Sequence, residues 1–528
     1  MFAVLTDDQD ILMDSLNYMP NVKEHLTDKG VFYQRHYCTI ALCCPSRVSL
    51  LTGKAAHNTN VTDIIPPYGG YTKFIAEGLN SEYLPVWLQD AGYNTYYAGK
   101  LLNGHSVINY DALYAKGFNS SATWQTGTDV PETFPGQHVL DINVGHAYNF
   151  LDDAVQKDIP FFLTIAPVAP HAQVIILDPE NPQIQNRNIT APEPQTKWNS
   201  SFVGEKVPRT PNFNPDVPSG GSWIRGLPQL NQDSVDYNDA FYVARLQLLA
   251  GIDEMVGEVV SRLDAAGLLD STYIVYTTDN RFHIGQHRLQ PGKSCPIEED
   301  YNVVETVTTH TDLAPTFIKM LNINLRDDFD GTPIPVTADQ ITAASKDVSK
   351  SEHIDMDEVP TNNTYKSVRV MGTSYNLFYT VWCDNSHELY SDPYQMNNLL
   401  LSNSSDVESS LGIRMTTLPS SLMNSTTPAG PRSTASAPAQ SPHPTDDIPQ
   451  LQTRLDALAM VLKSCKADSC RSPWVVLHPQ RDVQNLGDAM TPKFDAFYAS
   501  HPKVSFSECE QGYILESEGP QDVIPLPG

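Results

Sequence analysis

Apolar residues fall along this 528-residue chain in two alternating rhythms. Short uninterrupted runs at Phe2–Leu5, Tyr93–Tyr97, Pro160–Ala166 and Thr272–Thr277 have the length and the aromatic and β-branched content of buried strands. Between them lie segments with an apolar residue every three or four positions, the spacing of one helix face. Pro85–Asp90 is one, with Pro85 suited to a first turn, and His146–Val155 is another. Phe241–Ala266 is the clearest: Leu246, Leu249, Ile252, Val256, Val259 and Leu263 form a stripe that Gly267 ends. Asp312–Leu321 predicts a further helix, with Asp312 as its N-cap and Pro315 in its first turn. Helices alternating with apolar strands predict the α/β class, a large mixed and mostly parallel sheet flanked by helices.

Beyond about residue 345 the rhythm changes. Tyr365–Val370 and Tyr375–Trp382 flank Met371-Gly-Thr-Ser374 and read as a β-hairpin. Residues 402–450 are rich in Ser, Thr and Pro and read as a flexible insertion, after which Leu451–Leu462 is again helical. The expected division is a larger N-terminal catalytic domain over 1–345 and a smaller C-terminal α+β subdomain over 346–528. That fits the tendency of single cores to stop growing near roughly 250–300 residues. No internal repeat is present.

Charge narrows the partners. A net charge of −28 repels nucleic acid and anionic lipid, and no apolar run is long enough to span a bilayer. Any anion site must therefore be built locally from a few cations. The 8 cysteines, Cys38, Cys43, Cys44, Cys295, Cys383, Cys465, Cys470 and Cys509, are compatible with disulfides but fix no pairing. N-x-S/T triplets at Asn60, Asn119, Asn188, Asn199, Asn362, Asn403 and Asn424 favour a secreted or cell-wall location. Met1 falls almost directly on the first apolar run, so a signal peptide is expected to precede this sequence rather than lie within it.

Asp7-Asp8 follows the first strand, where α/β sheets place their sites, and adjacent carboxylates repel unless a cation lies between them. Hard oxygen donors suit Ca²⁺ or Mg²⁺, and Asp279-Asn280, after the strand Thr272–Thr278, could supply further ligands. The segment Leu42-Cys43-Cys44-Pro45-Ser46-Arg47-Val-Ser-Leu-Leu-Thr52-Gly53 then resembles the sulfatase motif C-x-P-S-R-x-x-x-L-T-G. Further likeness lies in Gly53–Asn58, Phe150–Ala154, Gln286–Gly292 and Thr308–Thr316. It extends from residue 2 to about 520 and is nearest to the fungal-type arylsulfatases.

The resemblance implies an alkaline-phosphatase-like fold and a sulfuric ester hydrolase using one Ca²⁺ and a formylglycine made from Cys43 by a formylglycine-generating enzyme. Asp7, Asp8, Asp279 and Asn280 are implied as calcium ligands together with residue 43. Arg47, one helical turn beyond Cys43, would hold the aldehyde hydrate with a fixed charge. The expected reaction is attack of that hydrate on sulfur, assisted by Asp279, followed by release of sulfate as the carbonyl re-forms. Lys100 (in Tyr96-Tyr97-Ala98-Gly99-Lys100) and Lys293 (in His283-Ile-Gly-Gln-His-Arg-Leu-Gln-Pro-Gly-Lys293) match the lysines that meet sulfate oxygens. His171, in Ala166-Pro-Val-Ala-Pro-His171, matches the histidine that meets the ester oxygen and would protonate the leaving group. The substrate class is a small sulfate ester: a phenol sulfate, choline sulfate or a sulfated sugar.

Some positions depart from that pattern. Arg281 stands where relatives carry Gly, and Leu102 where many carry His, which leaves open whether His105 substitutes. The stretch between Glu-Glu-Asp300 and Thr-Thr-His310 is short, and so is His387–Pro393; with the abrupt start, these read as lost chain. Two other readings follow: a phosphodiester or phosphonate hydrolase on the same scaffold, and a metal-binding relic.

Overall fold

The computed structural model describes residues 1–528 except 107–108, 110–112, 124, 127–133, 178–186, 294–306, 345–363, 373–374, 402–444, 446, 511 and 528. The apolar runs expected to be strands form four adjacent strands of a six-stranded sheet. Its strands are β1 (Phe2–Thr6), β2 (Asn94–Gly99), β3 (Ser120–Thr123), β4 (Gln125–Thr126), β5 (Phe161–Ala166) and β6 (Ile274–Thr278), in the order β4-β3-β2-β5-β1-β6. Every pairing is parallel except that of β3 with β4.

Burial on both faces explains why these strands lack polar alternation. Phe2 and Val4 of β1 pack with Leu163 and Ile165 of β5 against α3 (Val139–Val155) and α4 (Gln232–Ala265). Ala3 and Leu5 point the other way, toward α1 (Cys43–Thr52), α2 (Leu84–Asp90) and α5 (Leu313–Met320). Strand β6 departs from the expectation of full burial. It ends the sheet among the described residues, and its side chains are only half-buried. The turn after β2 fixes one glycine: Gly99 has φ +108, and a Cβ there would meet the Ala166 carbonyl oxygen at 2.0 Å.

Past α5 the pattern becomes antiparallel. Strands β7 (Tyr365–Met371), β8 (Asn376–Trp382) and β9 (His387–Tyr390) form a three-stranded sheet, with Tyr365 opposite Trp382 as the hairpin pattern predicts. One face of it packs on α6 (Ile448–Leu462) through Val368, Val370, Leu377, Leu451, Leu455 and Leu458. Most of the expected insertion, 402–444, lies outside the described residues, as does most of the shortened 300–310 region. Disulfides join Cys383 to Cys509 and Cys465 to Cys470.

Helix starts differ most from the sequence reading. Helix α4 begins at Gln232, nine residues before Phe241, because Asn231 accepts the Ser234 N–H at 2.9 Å and its first turns are polar. Helix α3 begins at Val139, where His138 accepts the Leu140 N–H at 3.2 Å. At α5, Asp312 holds the N-cap position, but its side chain makes no capping bond to that helix. A short 3₁₀ turn, His310–Asp312, precedes the helix, and Thr309 caps that turn in a reciprocal box with Asp312. The Asp312 carboxylate accepts the N–H groups of Thr309 at 2.8 Å and Thr332 at 2.6 Å.

Burial raises the Asp312 pKa from 3.8 to about 6 despite those donors. A carboxyl raised in the folded state stabilises most fully below its ordinary pKa, and that contribution is lost as pH rises through about 6. Urea midpoints of Asp312→Asn should therefore fall less steeply than those of the unaltered protein from pH near 4 to near 7, across the pKa window just cited. An unchanged slope would contradict the assignment.

Candidate active site

The parallel register of β1 with β6 sets Thr6 opposite Thr278, so Asp7-Asp8 and Asp279-Asn280 leave the sheet side by side. The Asp8 N–H donates to Asp279 Oδ1 at 3.0 Å, and the Asp7 N–H donates to the Ala169 carbonyl at 2.9 Å. Lys100 follows β2 directly, and His171 lies five residues beyond β5. Four adjacent parallel strands thus deliver their following residues to one place, the carboxyl edge where open α/β sheets form their crevices.

Helix α1 points its first residue into this crevice. Cys43 Sγ lies 3.6 Å from Asp7 Oδ1, and the Lys293 ammonium donates to that sulfur at 2.8 Å and to Asp8 Oδ1 at 2.7 Å. Cys44 turns instead into the apolar layer with Val48 and Leu51, so the two adjacent thiols have unlike surroundings. One turn beyond Cys43, fully buried Arg47 donates through Nε to Asp279 Oδ2 at 2.9 Å and through Nη1 to the Lys100 carbonyl, with Nη2 3.6 Å from Asp7 Oδ2. Lys100 Nζ bridges both Asp7 oxygens at 2.7 and 3.1 Å. His171 donates from Nδ1 to the Ala172 carbonyl at 2.6 Å and sets Nε2 3.6 Å from Asp8 Oδ2. The structure therefore gathers Asp7, Asp8, Cys43, Arg47, Lys100, His171, Asp279, Asn280 and Lys293.

Burial and charge separate the three carboxylates. Burial pushes Asp7 upward, but Lys100, His171, Arg47 and Lys293 outweigh it and hold Asp7 well below the usual range. Asp8 is lowered in the same way, chiefly by Lys293 and His171 against its burial. Asp279 is raised, first by burial and then by the Asp7 charge. Burial also raises the Cys43 thiol far above its ordinary value, against the pull of Lys100 and Lys293.

The donors fit a hard divalent cation. Asp7 and Asp8 lie with Cys43 and His171 in a set whose ligand atoms are all within 4.8 Å of one another. Asn280 gives its amide N–H to Asp8, while its buried Oδ1 has no hydrogen bond among the described residues, an acceptor left for a cation. A second cluster, His57 with Cys465 and Cys470, has its two sulfurs joined in a disulfide.

Two sequence departures resolve differently. The backbone at Arg281 is not left-handed, so glycine is not required there, and its guanidinium donates to the Tyr365 hydroxyl at 2.7 Å. Leu102 is buried, and His105 stacks on Tyr71 with ring centroids 4.2 Å apart. Both line a cleft of about 1350 Å³ that also includes Lys100 and His171. Burial lowers the His105 pKa to about 4, so its imidazole is neutral near pH 7.

Three residues around the site were missed by sequence reading. Ser46 Oγ contacts the Asp279 carbonyl and lies 2.7 Å from His310 Nδ1, and the Tyr97 hydroxyl donates to the Lys100 carbonyl at 2.8 Å. The third, Arg245 of α4, donates to the carbonyls of Asp8 and Pro170. Its only sequence signal is a cation set among Tyr242, Leu246 and Leu249 on an otherwise apolar stripe.

A family profile described as Sulfatase matches residues 2–323. The chain belongs to the sulfatase family. Sulfatase ppz1 of Metarhizium majus is 36% identical over 402 residues, covering 73% of this chain and 80% of that protein. The arylsulfatase of Volvox carteri is 30% identical over 574 residues, covering 96% and 81%. Among solved structures, the sulfated-sugar complex described as BT4656 with its substrate D-Glucosamine-2-N, 6-O-disulfate superposes with a TM-score of 0.56 at 18% identity, covering 78% of this chain and 95% of that one. A phosphonate monoester hydrolase of Silicibacter pomeroyi shares the fold at TM-score 0.50 and 16% identity, covering 78% and 92%. Sequence family, more than fold, thus makes this sulfatase a sulfuric ester hydrolase.

Removing Arg47 would leave Asp279 and Asp7 buried without their guanidinium partner. Arg47→Met should cost about 3–5 kcal/mol of stability, the usual effect of breaking a buried pair, as read from urea unfolding. A loss under roughly 1 kcal/mol, the scale of a surface pair, would show that the network is dispensable to the fold.

Proposed function

We propose that this sulfatase cleaves aryl or related sulfate esters to the phenol or alcohol plus sulfate, using Ca²⁺ and a formylglycine derived from Cys43. The observation that carries the reading is the gathering of Cys43, three carboxylates, two lysines and Arg47 at one sheet edge. The state of the thiol argues against its acting unmodified. A buried cysteine raised this far is almost wholly protonated and so a poor nucleophile. Formylglycine would supply instead a hydrate hydroxyl as nucleophile and a carbonyl that re-forms on release of sulfate. Asp7, Asp8, Asp279 and Asn280, completed by residue 43, would hold calcium, which would polarise a sulfate oxygen as a Lewis acid.

The remaining work falls to this chain's own groups. Asp279, the carboxylate pushed upward by burial, is the best suited of the three to accept a proton. Asp7 and Asp8, held low, stay ionised as ligands. Lys293, already at the Cys43 sulfur, and Lys100 balance charge on the sulfate oxygens. The Nδ1–H bond to Ala172 fixes the His171 ring, leaving Nε2 to carry a proton to the departing oxygen. The leaving group would occupy the cleft beyond Lys100 and His171.

Disulfides and the N-x-S/T triplets support secretion, and no described helix is long and apolar enough to cross a membrane. Maturation would need a formylglycine-generating enzyme as a transient partner.

Protein made in a secretory host should carry an aldehyde at residue 43 in the tryptic peptide His36–Arg47, detected by mass spectrometry. Cys43→Ala should fold normally and lose aryl-sulfatase turnover; retained turnover would sink the mechanism. The shared fold with a phosphonate monoester hydrolase motivates one rival. Rates on an aryl sulfate and an aryl phosphodiester, measured side by side, should favour the sulfate. A folded chain whose thermal transition Ca²⁺ raises, yet without turnover of either ester, would instead be a relic.

A further inference from the structure

Arg245 is a buried cation with an unusual set of partners. It sits in the middle of α4 and is 3% exposed, yet no carboxylate among the described residues lies within ion-pair distance of its guanidinium. Its donors go to backbone instead: Nη1 to the Pro170 carbonyl at 3.1 Å and Nη2 to the Asp8 carbonyl. The guanidinium carbon lies over the Phe282 ring, 4.2 Å from its centroid. Burying a charge without a direct counter-ion is costly unless its hydrogen bonds are satisfied, so the arrangement calls for a reason beyond packing.

The two carbonyls belong to the site. One is Asp8's own; the other immediately precedes His171. They come from separate strands, β1 and β5, and are otherwise linked here by the hydrogen bond from Asp7 N–H to the Ala169 carbonyl. Asp8 also has φ 69, a left-handed conformation that a residue with a side chain keeps only where its surroundings hold it.

We propose that Arg245 is a positioning residue that locks the calcium-binding carboxylate Asp8 and the proton-donating His171 into one rigid unit by donating to the carbonyls of Asp8 and Pro170 together. The proposal rests on the reading of the site given above. A guanidinium suits the task because its fork spans two acceptors while its carbon lies over the Phe282 ring, whereas a lysine ammonium reaches as a point. The fixed positive charge also faces Asp7, Asp8 and Asp10 and offsets part of their mutual repulsion.

The test compares full-length matured protein with Arg245→Lys and Arg245→Met. Calcium affinity is read by calorimetry after chelation, kcat and KM on an aryl sulfate, and Tm with chelator and with saturating Ca²⁺. Loss of a residue orienting a ligand costs about 10–100-fold in metal affinity or activity, and that loss is expected in calcium affinity and kcat, with KM nearly unchanged. Arg245→Lys should fall between the unaltered protein and Arg245→Met. A drop in chelator Tm alone, with calcium affinity and kcat intact, would reduce Arg245 to a structural brace. Should Arg245→Met fail to fold, Arg245→Lys carries the test, since it keeps the charge and loses the fork. Failure of the unaltered protein to bind calcium or turn over the ester overturns the functional reading and this proposal together. Turnover by the unaltered protein with indifferent variants overturns only the proposal.

Discussion

Arg47 is wholly buried, and its guanidinium ties α1 to the carboxylates that follow β6 and β1. Burying three acids in one crevice is tolerable only because cations of the same chain meet them: Asp7, Asp8 and Asp279 face Arg47, Lys100 and Lys293. The helix that supplies Arg47 also supplies Cys43, four residues earlier on the same face, so the contact that neutralises the acids places the sulfur beside them. Every residue of α1 is buried, leaving it no freedom to slide. Fold and site are therefore not separable here. The sheet puts the acids together, and the helix that permits this carries the reactive position.

That balance has a consequence for what can bind. On the proposed reading Asp7, Asp8 and Asp279 already meet Arg47, Lys100 and Lys293, so a divalent cation would bring two charges that the crevice offsets only in part. On that reading an anionic ester would offset part of the charge that the metal brings. Lys100 and Lys293, which hold Asp7 and Asp8 in this structure, would then be available to the ester's oxygens.

Much of this was legible in the chain. Strands β1, β2, β5 and β6 announce themselves as apolar runs because helices cover both faces of the sheet, and Asp7-Asp8 and Asp279-Asn280 stand where such strands end. What escaped has physical causes. The start of α4 is polar and lies beyond the core, so no stripe marks residues 232–240; only the cap at Asn231 does. Strand β9 is four residues long, too short for alternation to register. Asp312 stands at the N-cap of α5 as read, but the side-chain capping lies one 3₁₀ turn earlier, at Thr309, which no apolar spacing marks. Arg245 could not be seen to matter, since its partners are carbonyls, which every residue has. Side chains chosen for chemistry leave a signature in residue type; those that orient backbone do not.

The acidic surface sharpens the choice of substrate. At −28 the protein repels anions at long range, and at physiological salt that field fades within about 8 Å. The approach of an ester then depends on its own charge and on the few cations of the crevice. A sulfate monoester carries one negative charge at neutral pH, whereas a phosphate monoester carries nearly two and meets the greater repulsion. Charge thus argues against phosphate monoesters but not against phosphodiesters or phosphonate monoesters, which are also singly charged. Fold does not separate them either, since a phosphonate monoester hydrolase shares it. On the proposed mechanism the separation comes from the leaving-group side, where the neutral His105 and His171, which would carry the final proton, line one cleft. A substrate that leaves as a weakly basic phenolate asks little of that proton; one that leaves as an alkoxide asks for all of it. On the proposed mechanism, how firmly His171 is fixed would govern which sulfate esters this chain can turn over.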